Sequence, residues 1–347
     1  MAKLHIFNPE HDIALGVNLS NFTSPHAGRQ LRHDLGYLPA IWAMDTDYVL
    51  VDDVEQAQTA FSRLMHRPFG HFVDKRMLQR LTIDCVEPWG WDLALRAFLL
   101  RYGVRAVPSE MEIAVVRDLS HRRYAVALLD QLRLEGTTGR AWQADSLQAV
   151  LTLRREHGSI VVKAPWSSSG RGIRFIDGEP DDYQTRWIQN VIQKQGSVVV
   201  EAYCQKVKDF GMEFESDGEG RVSYLGLSLF HTENGAYTGN VLASEEEKRT
   251  ILNHYISDAL LTNIQAEVCN RLGALYRGRY KGPFGIDMMV IATERADGFL
   301  LNPCVEINLR RTMGHVALAL ARQCPSGQVM RIDYTNNIYR LRKLVEL

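Results

Sequence analysis

The chain has 347 residues, 46% hydrophobic and 23% charged, a composition that suits a globular protein of roughly two domains of about 150 residues and argues against disorder. Its 40 basic and 41 acidic residues leave a formal net charge of -1, so nucleic acid and anionic lipid find no basic track, and any anionic ligand must be held by a local site. Cys85, Cys204, Cys269, Cys304 and Cys324 never form a CxxC pair, as expected of free thiols in a reducing compartment, and no stretch approaches the ~18 apolar residues of a membrane span. These features read as a cytoplasmic protein.

Short β-branched runs alternate with segments of helical period, the pattern of mixed α/β and α+β domains. LHIF at 4–7 predicts a first strand that runs into the polar loop NPEHD, and YVLVDD at 48–53 predicts another. DLALRAFLLR at 92–101 has helical spacing and stops before Gly103. These elements predict a small N-terminal α/β domain over 1–115. The helix-rich stretch from 110 to 136 follows, with Ser120 placed to cap a second helix and Gly136 to end it.

From 160 onward strand pairs dominate: IVVKAP, GIRFI and SVVVEAY, the last preceded by a helical DDYQTRWIQNVIQKQ. DGEG centres an antiparallel hairpin over 210–230, and ADG separates the apolar strands 286–292 and 299–307 of a second. TMGHVALALAR reads as a closing helix. The second predicted domain is 116–347, divided into 116–200 with a flexible loop and 201–347 with a metal site.

Lys163 stands where a strand gives way to Ser167, Ser168, Ser169, Gly170, Arg171 and Gly172. Small residues let backbone N–H groups approach phosphate oxygens, hydroxyls add donors, and the lysine adds a point charge. Such a loop between strands is commonly only a turn, and it matches neither GxxxxGK[ST] nor GxGxxG. The second hairpin strengthens the phosphate reading. It carries Asp287 on one strand and Glu306 with Asn308 on the other, where a spacing of two puts both side chains on one face. Hard oxygen donors suit Mg2+. An acidic residue on each of two strands is often a solvated face, but IDMMVI and LNPCVEINL are nearly continuous apolar runs, and ionised groups among them ask for a partner. Arg310 takes the next position on that face if the strand persists.

These residues resemble the ATP-grasp superfamily, in which two α+β subdomains close over ATP, here after an N-terminal pre-ATP-grasp-like α/β domain. The likeness covers roughly 105–325, and its strongest part is DMMV…CVEINLR. The resemblance implies that Asp287, Glu306 and Asn308 hold Mg2+, two ions that Mn2+ can replace. It implies that Arg310 stabilises the transferring phosphoryl group or acyl-phosphate, that Lys163 contacts the phosphates, and that 167–172 close over them. Glu201 fits the adenine hinge and Asp209 a ribose contact. The family's first basic residue, usually Lys, is replaced in SHRRYA by His121, Arg122 or Arg123, of which Arg122 is chosen.

What the resemblance implies is an ADP-forming ligase that phosphorylates a small carboxylate, an amino acid or peptide among the candidates, and passes the acyl group to an amine; a homodimer is compatible with it. Two alternatives stay open: a small-molecule kinase with a hydroxyl acceptor, and a nucleotide-binding protein without turnover. On the substrate side, Glu10 and His11 end the first strand, where open α/β sheets bind ligands. The competing reading is a helix start capped by Asn8. Asn240 lies in FHTENGAYTGNVLAS, read as a substrate loop or a turn. Arg311, beside Arg310, suits a bidentate grip on a carboxylate.

Overall fold

A computed structural model describes residues 2–167, 172–233, 236–293, 298–323 and 327–345. Ser168, Ser169, Gly170 and Arg171 of the expected loop, Ala296 and Asp297 of the second turn, and Cys324 lie outside them. The chain falls into two compact units: residues 1–117 with 238–244 and 310–347, and residues 118–237 with 245–309. Residues 238–244 and 310–347, which fall within the expected 116–347 domain, group with the N-terminal residues in the compact units.

In the first unit, β1 (Lys3–Ile6) is followed by α1 (His11–Val17) and α2 (His26–Leu35), then β2 (Tyr48–Leu50), α3 (Val54–Met65), β3 (Phe72–Val73), β4 (Cys85–Pro88) and α4 (Leu93–Arg101). The strands make a parallel sheet in the order β3-β2-β1-β4. Leu4, Ile6, Val73 and Val86 from the sheet bury against Leu95 and Leu99 of α4, whose start is fixed by the Asp92 side chain accepting from Leu95 N. The α1 start departs from the capping expectation. Glu10 occupies the cap position without a side-chain cap bond, and Asn8 instead donates to Gly90 O and Asp92.

The helix α5 (Glu110–Leu119) leads into the second unit, which begins with α6 (Arg123–Gln131). Ser120 caps neither: Arg122 sits at the α6 boundary, the helix ends at Gln131, and Gly136 serves a left-handed turn at φ +84. Next come β5 (Ala141–Ala144), α7 (Leu147–His157), β6 (Ile160–Lys163), β7 (Ile173–Ile176), α8 (Asp182–Gln195) and β8 (Val198–Ala202). They form an antiparallel sheet ordered β5-β8-β6-β7. Its apolar side, including Val162, Val198 and Val200, packs on Val150 and Ile188 of the helices.

The hairpin β9 (Lys206–Ser216) and β10 (Val222–Glu233) precedes β11 (Ala236–Leu242), α9 (Glu245–Asn253) and α10 (Asp258–Tyr276). The second hairpin, β12 (Gly282–Ala292) and β13 (Phe299–Asn308), joins the first through β12 and β9, in the order β13-β12-β9-β10. The stretch 230–244, read from sequence as a loop or turn, is strand on both sides of Asn234 and Gly235, which are not described. The chain continues with α11 (Met313–Ala321), started by a Thr312/His315 capping box, then β14 (Gln328–Thr335), which pairs with β11 in the first unit, and β15 (Ile338–Val345), which pairs with β14. Among the described residues, no helix is long and apolar enough to cross a membrane.

Candidate functional site

The second unit gathers most of the expected nucleotide and metal residues. Val161 pairs with Glu201 across β6 and β8, so Lys163, two residues on, shares the face of Glu201. Lys163 Nζ lies 2.6 Å from Glu201 Oε1, and both side chains are largely withdrawn from solvent. The loop after Lys163 is pinched at its base, where Ala164 N donates to Gly172 O at 2.8 Å. Glycine is required at 172 because a Cβ there would stand 2.3 Å from Ser167 Cβ and Oγ.

Buried Arg122 ties this loop to the second hairpin. Its Nη1 donates to the Ala164 carbonyl and to Ser167 Oγ at 2.8 Å, while Nη2 donates to Glu306 Oε1 at 2.6 Å. His121 instead packs edge-on against Trp166, and Arg123 pairs with Asp118. Of the three basic candidates, Arg122 alone is shown bonded to both the loop and Glu306.

Asp287 lies directly opposite Glu306 in the β12–β13 ladder, and Asn308 follows on the same face. Asn308 Nδ2 donates to Asp287 Oδ2 at 3.1 Å. On the other side of Asp287 stands Gly211 of β9, and a Cβ there would lie 3.6 Å from both Asp287 Oδ1 and Glu213 Oε1. The missing side chain leaves a recess between two carboxylates. Glu213, with Ser228 opposite Gly211, belongs to this face and escaped the sequence reading; its signal was the two-residue spacing from Asp209 and Gly211. Among the described residues, no three His, Cys, Asp or Glu side chains are arranged to hold a metal alone.

Asp209 Oδ2 pairs with Lys206 Nζ at 2.6 Å and accepts from Thr232 Oγ1 at 3.0 Å. Cys304, expected from sequence only to be a free thiol, sits among the ionisable residues. Burial pushes its thiol up, with Glu201, Asp287 and Glu306 adding to the effect and Lys163 opposing it. Lys163–Glu201 and Asp287–Glu306 are therefore all within electrostatic reach of one sulfur.

The first unit holds the others. Arg310 does not continue the β13 face: the strand ends at Asn308, and the guanidinium instead grips Asp12 Oδ2 from Nε at 2.9 Å and Nη2 at 2.7 Å. Arg311 approaches Glu87 Oε2 at 3.4 Å and lies over the Trp42 ring. Glu10 binds Arg32 at 2.6 Å, and fully buried His11 has Nδ1 3.6 Å from Asp92 Oδ2. Asn240 is fully buried on β11 opposite Met330.

Compared by sequence, the chain matches no protein-family model and no curated protein. Compared by structure, it is similar to biotin carboxylase from Campylobacter jejuni at a TM-score of 0.56 and 13% identity, covering 97% of this chain and 77% of that one. It is also similar to N5-carboxyaminoimidazole synthetase from Staphylococcus aureus, at 0.51 and 11% over 95% of this chain and 82% of the other. A third similar structure is the biotin carboxylase domain dimer of the Hydrogenobacter thermophilus 2-oxoglutarate carboxylase, solved with MgADP and bicarbonate, at 0.51 and 13% over 96% and 75%. The chain has the ATP-grasp fold. Its parallel N-terminal sheet and its antiparallel sheets match that fold.

Proposed function

We propose that the protein is an ATP- and Mg2+-dependent, ADP-forming ligase that activates a small carboxylate as its acyl-phosphate and transfers the acyl group to an amine. The observation that carries this reading is the continuous set of polar contacts from the Lys163 loop through Arg122 to Glu306, opposite Asp287 and beside Asn308.

The donor set fits Mg2+. Asp287, Glu306 and Asn308 present oxygens on one face, and Gly211 leaves the space beside Asp287 that a Cβ would fill. Three such residues leave coordination to be completed by water and phosphate oxygens. Bound there, Mg2+ would supply charge neutralisation for the phosphates.

The chain's own groups do the rest. Lys163 and Arg122 exchange their carboxylate partners for phosphate oxygens, with which charged donors bond strongly. Residues 167–172 cover the phosphates and exclude water, which would otherwise hydrolyse an acyl-phosphate. Glu201 takes the adenine edge and Asp209 the ribose. Arg310, oriented by two contacts to Asp12, grips the substrate carboxylate. No side-chain nucleophile is required, because the carboxylate itself attacks the γ-phosphorus and ADP leaves.

The test is ADP release with ATP and Mg2+ against pooled amino acids, short peptides and amines, with Glu306→Gln as the control. ADP formed only with a carboxylate pool, and only by the unsubstituted protein, supports the ligase. A phosphorylated product without condensation transfers the assignment to a kinase; clear ATP binding with no ADP from any pool removes catalysis.

A further inference from the structure

In the first unit, the order β3-β2-β1-β4 places β2 and β3 on one side of β1 and β4 on the other. The chain therefore reverses direction across the sheet between β1 and β4, and open parallel sheets bind ligands at the carboxyl ends of strands flanking such a reversal. The structure has a cavity of about 740 Å3 there, within the roughly 300–1,000 Å3 range of small-molecule sites. Residues just beyond each strand enter it: Asn8 after β1, Asp52 after β2, Lys75 after β3 and Asp92 after β4.

Two features show what this cavity would hold. The first is an unsatisfied acid: Glu10, only 7% exposed, gives Oε1 to Arg32 at 2.6 Å while Oε2 is buried without a hydrogen-bond partner. Burial pushes the Glu10 carboxyl up, against the pull of Arg32. A buried oxygen of this kind calls for a donor. The second is spare positive charge. Five basic side chains line the cavity against four acidic ones; Arg32 and Arg76 are held by Glu10 and Asp74, whereas Lys75 and Arg101 form no ion pair with a described residue.

The phosphate group of a monoester would satisfy the cations but offers Glu10 Oε2 no donor of its own and brings a second anion towards it. A molecule carrying both an ammonium and a carboxylate answers both needs. We propose that this cavity binds a small zwitterion, an amino acid or short peptide, with its ammonium on Glu10 and its carboxylate on Lys75 and Arg101. Its role as the acid substrate rests on the ligase reading; its binding does not, and is measured without nucleotide.

The experiment is calorimetric titration of the full-length protein, without ATP, with each standard amino acid, glycylglycine and alanylalanine, and with inorganic phosphate and ribose 5-phosphate as competing anions. The expected result is saturable binding of at least one zwitterion, weakened at least tenfold by acetylating its amine or amidating its carboxylate. The same loss is expected in Glu10→Gln and Arg101→Ala; Arg101 is exposed, so its substitution leaves folding intact even if the Glu10 variant does not fold. Binding by phosphate compounds alone, no binding at all, equal affinity for the acetylated ligand, or an unaffected Arg101→Ala protein would overturn the proposal. Zwitterion binding without ADP release would instead overturn the ligase reading and leave this one standing.

Discussion

Lys163 and Glu201 offer the sharpest separation of what holds the fold from what the site does. Their charges lie 2.6 Å apart, with side-chain exposures of 6% and 14%. Removing one partner of a buried pair strands the other charge and costs about 3–5 kcal/mol, whereas replacing both with apolar residues of similar volume is often nearly neutral. Lys163→Met should therefore lose about 3–5 kcal/mol in chemical denaturation, and Lys163→Met/Glu201→Leu should recover most of it. Nucleotide binding should behave differently. A charged hydrogen bond contributes about 1.5–3 kcal/mol, so loss of the phosphate contact weakens ATP by about ten- to a hundredfold, and the double substitution does not restore it. Stability is followed by far-UV circular dichroism in urea and affinity by calorimetry with ATP and Mg2+. A double variant that is both stable and unchanged in ATP affinity refutes the nucleotide role of Lys163; a Lys163→Met protein as stable as the parent refutes the buried pair.

Three further outcomes are expected. Asp12→Asn removes the charge that holds Arg310, so kcat of the ADP-forming reaction should fall at least tenfold while ATP affinity is unchanged; an unaltered kcat would show that Arg310 needs no orientation. Gly211→Ala puts a methyl 3.6 Å from Asp287 Oδ1 and Glu213 Oε1, and 3.2 Å from Ile286 O, so the fold should survive while the Mg2+ concentration for half-maximal activity rises at least tenfold; an unchanged Mg2+ dependence counts against that recess. Burial lowers the pKa of His5 from 6.5, outweighing the Asp47 hydrogen bond and the nearby carboxylates. The unfolded chain then takes up this proton first, so stability is full above about pH 6.5 and falls as pH drops towards the folded value, by at most about 1.4 kcal/mol per pH unit. Urea unfolding at about pH 7.5 and 5.5 should show a smaller difference in His5→Gln than in the parent, and equal differences would remove His5 from the acid response.

Period and turn chemistry made the strands legible. DGEG at 217–220 marks the β9–β10 turn, and the two-residue spacing of Glu306 and Asn308 puts them on one face without any knowledge of the partner strand. That Asp287 stands opposite Glu306 was not readable, because register depends on a turn of unknown length and on the irregularity after Asp287. Extending the same alternation to Arg310 failed where the strand stopped. A period describes a strand only while its ladder lasts, and nothing in EINLRRT marks Asn308 as the last paired residue. Ser120 failed as a cap for a related reason: capping residues are favoured by type, but the helix begins where tertiary contacts place it, here after Arg122 has been drawn to Ala164, Ser167 and Glu306. Glu10 and Asp12 were visible as polar residues after a strand, yet their partners Arg32 and Arg310 lie 22 and 298 positions away. Only the fold could pair them.

The pairing has a consequence for ligand binding. Nearly every charge expected to meet ATP or metal already faces an opposite charge or a donor: Lys163 with Glu201, Arg122 with Glu306, Lys206 with Asp209, and Asn308 with Asp287. Buried charges can be exchanged between partners at modest cost but not stranded. On the ligase reading, a phosphate that draws Arg122 away leaves Glu306 uncompensated unless a cation arrives with it, and a metal that takes Glu306 leaves Arg122 uncompensated unless an anion does. Each ligand thus lowers the cost of admitting the other, and by linkage the effect is equal in both directions. The ligase reading therefore expects free nucleotide and free metal each to bind more weakly than the two together. On that reading the Arg122–Glu306 contact is what couples the two ligands.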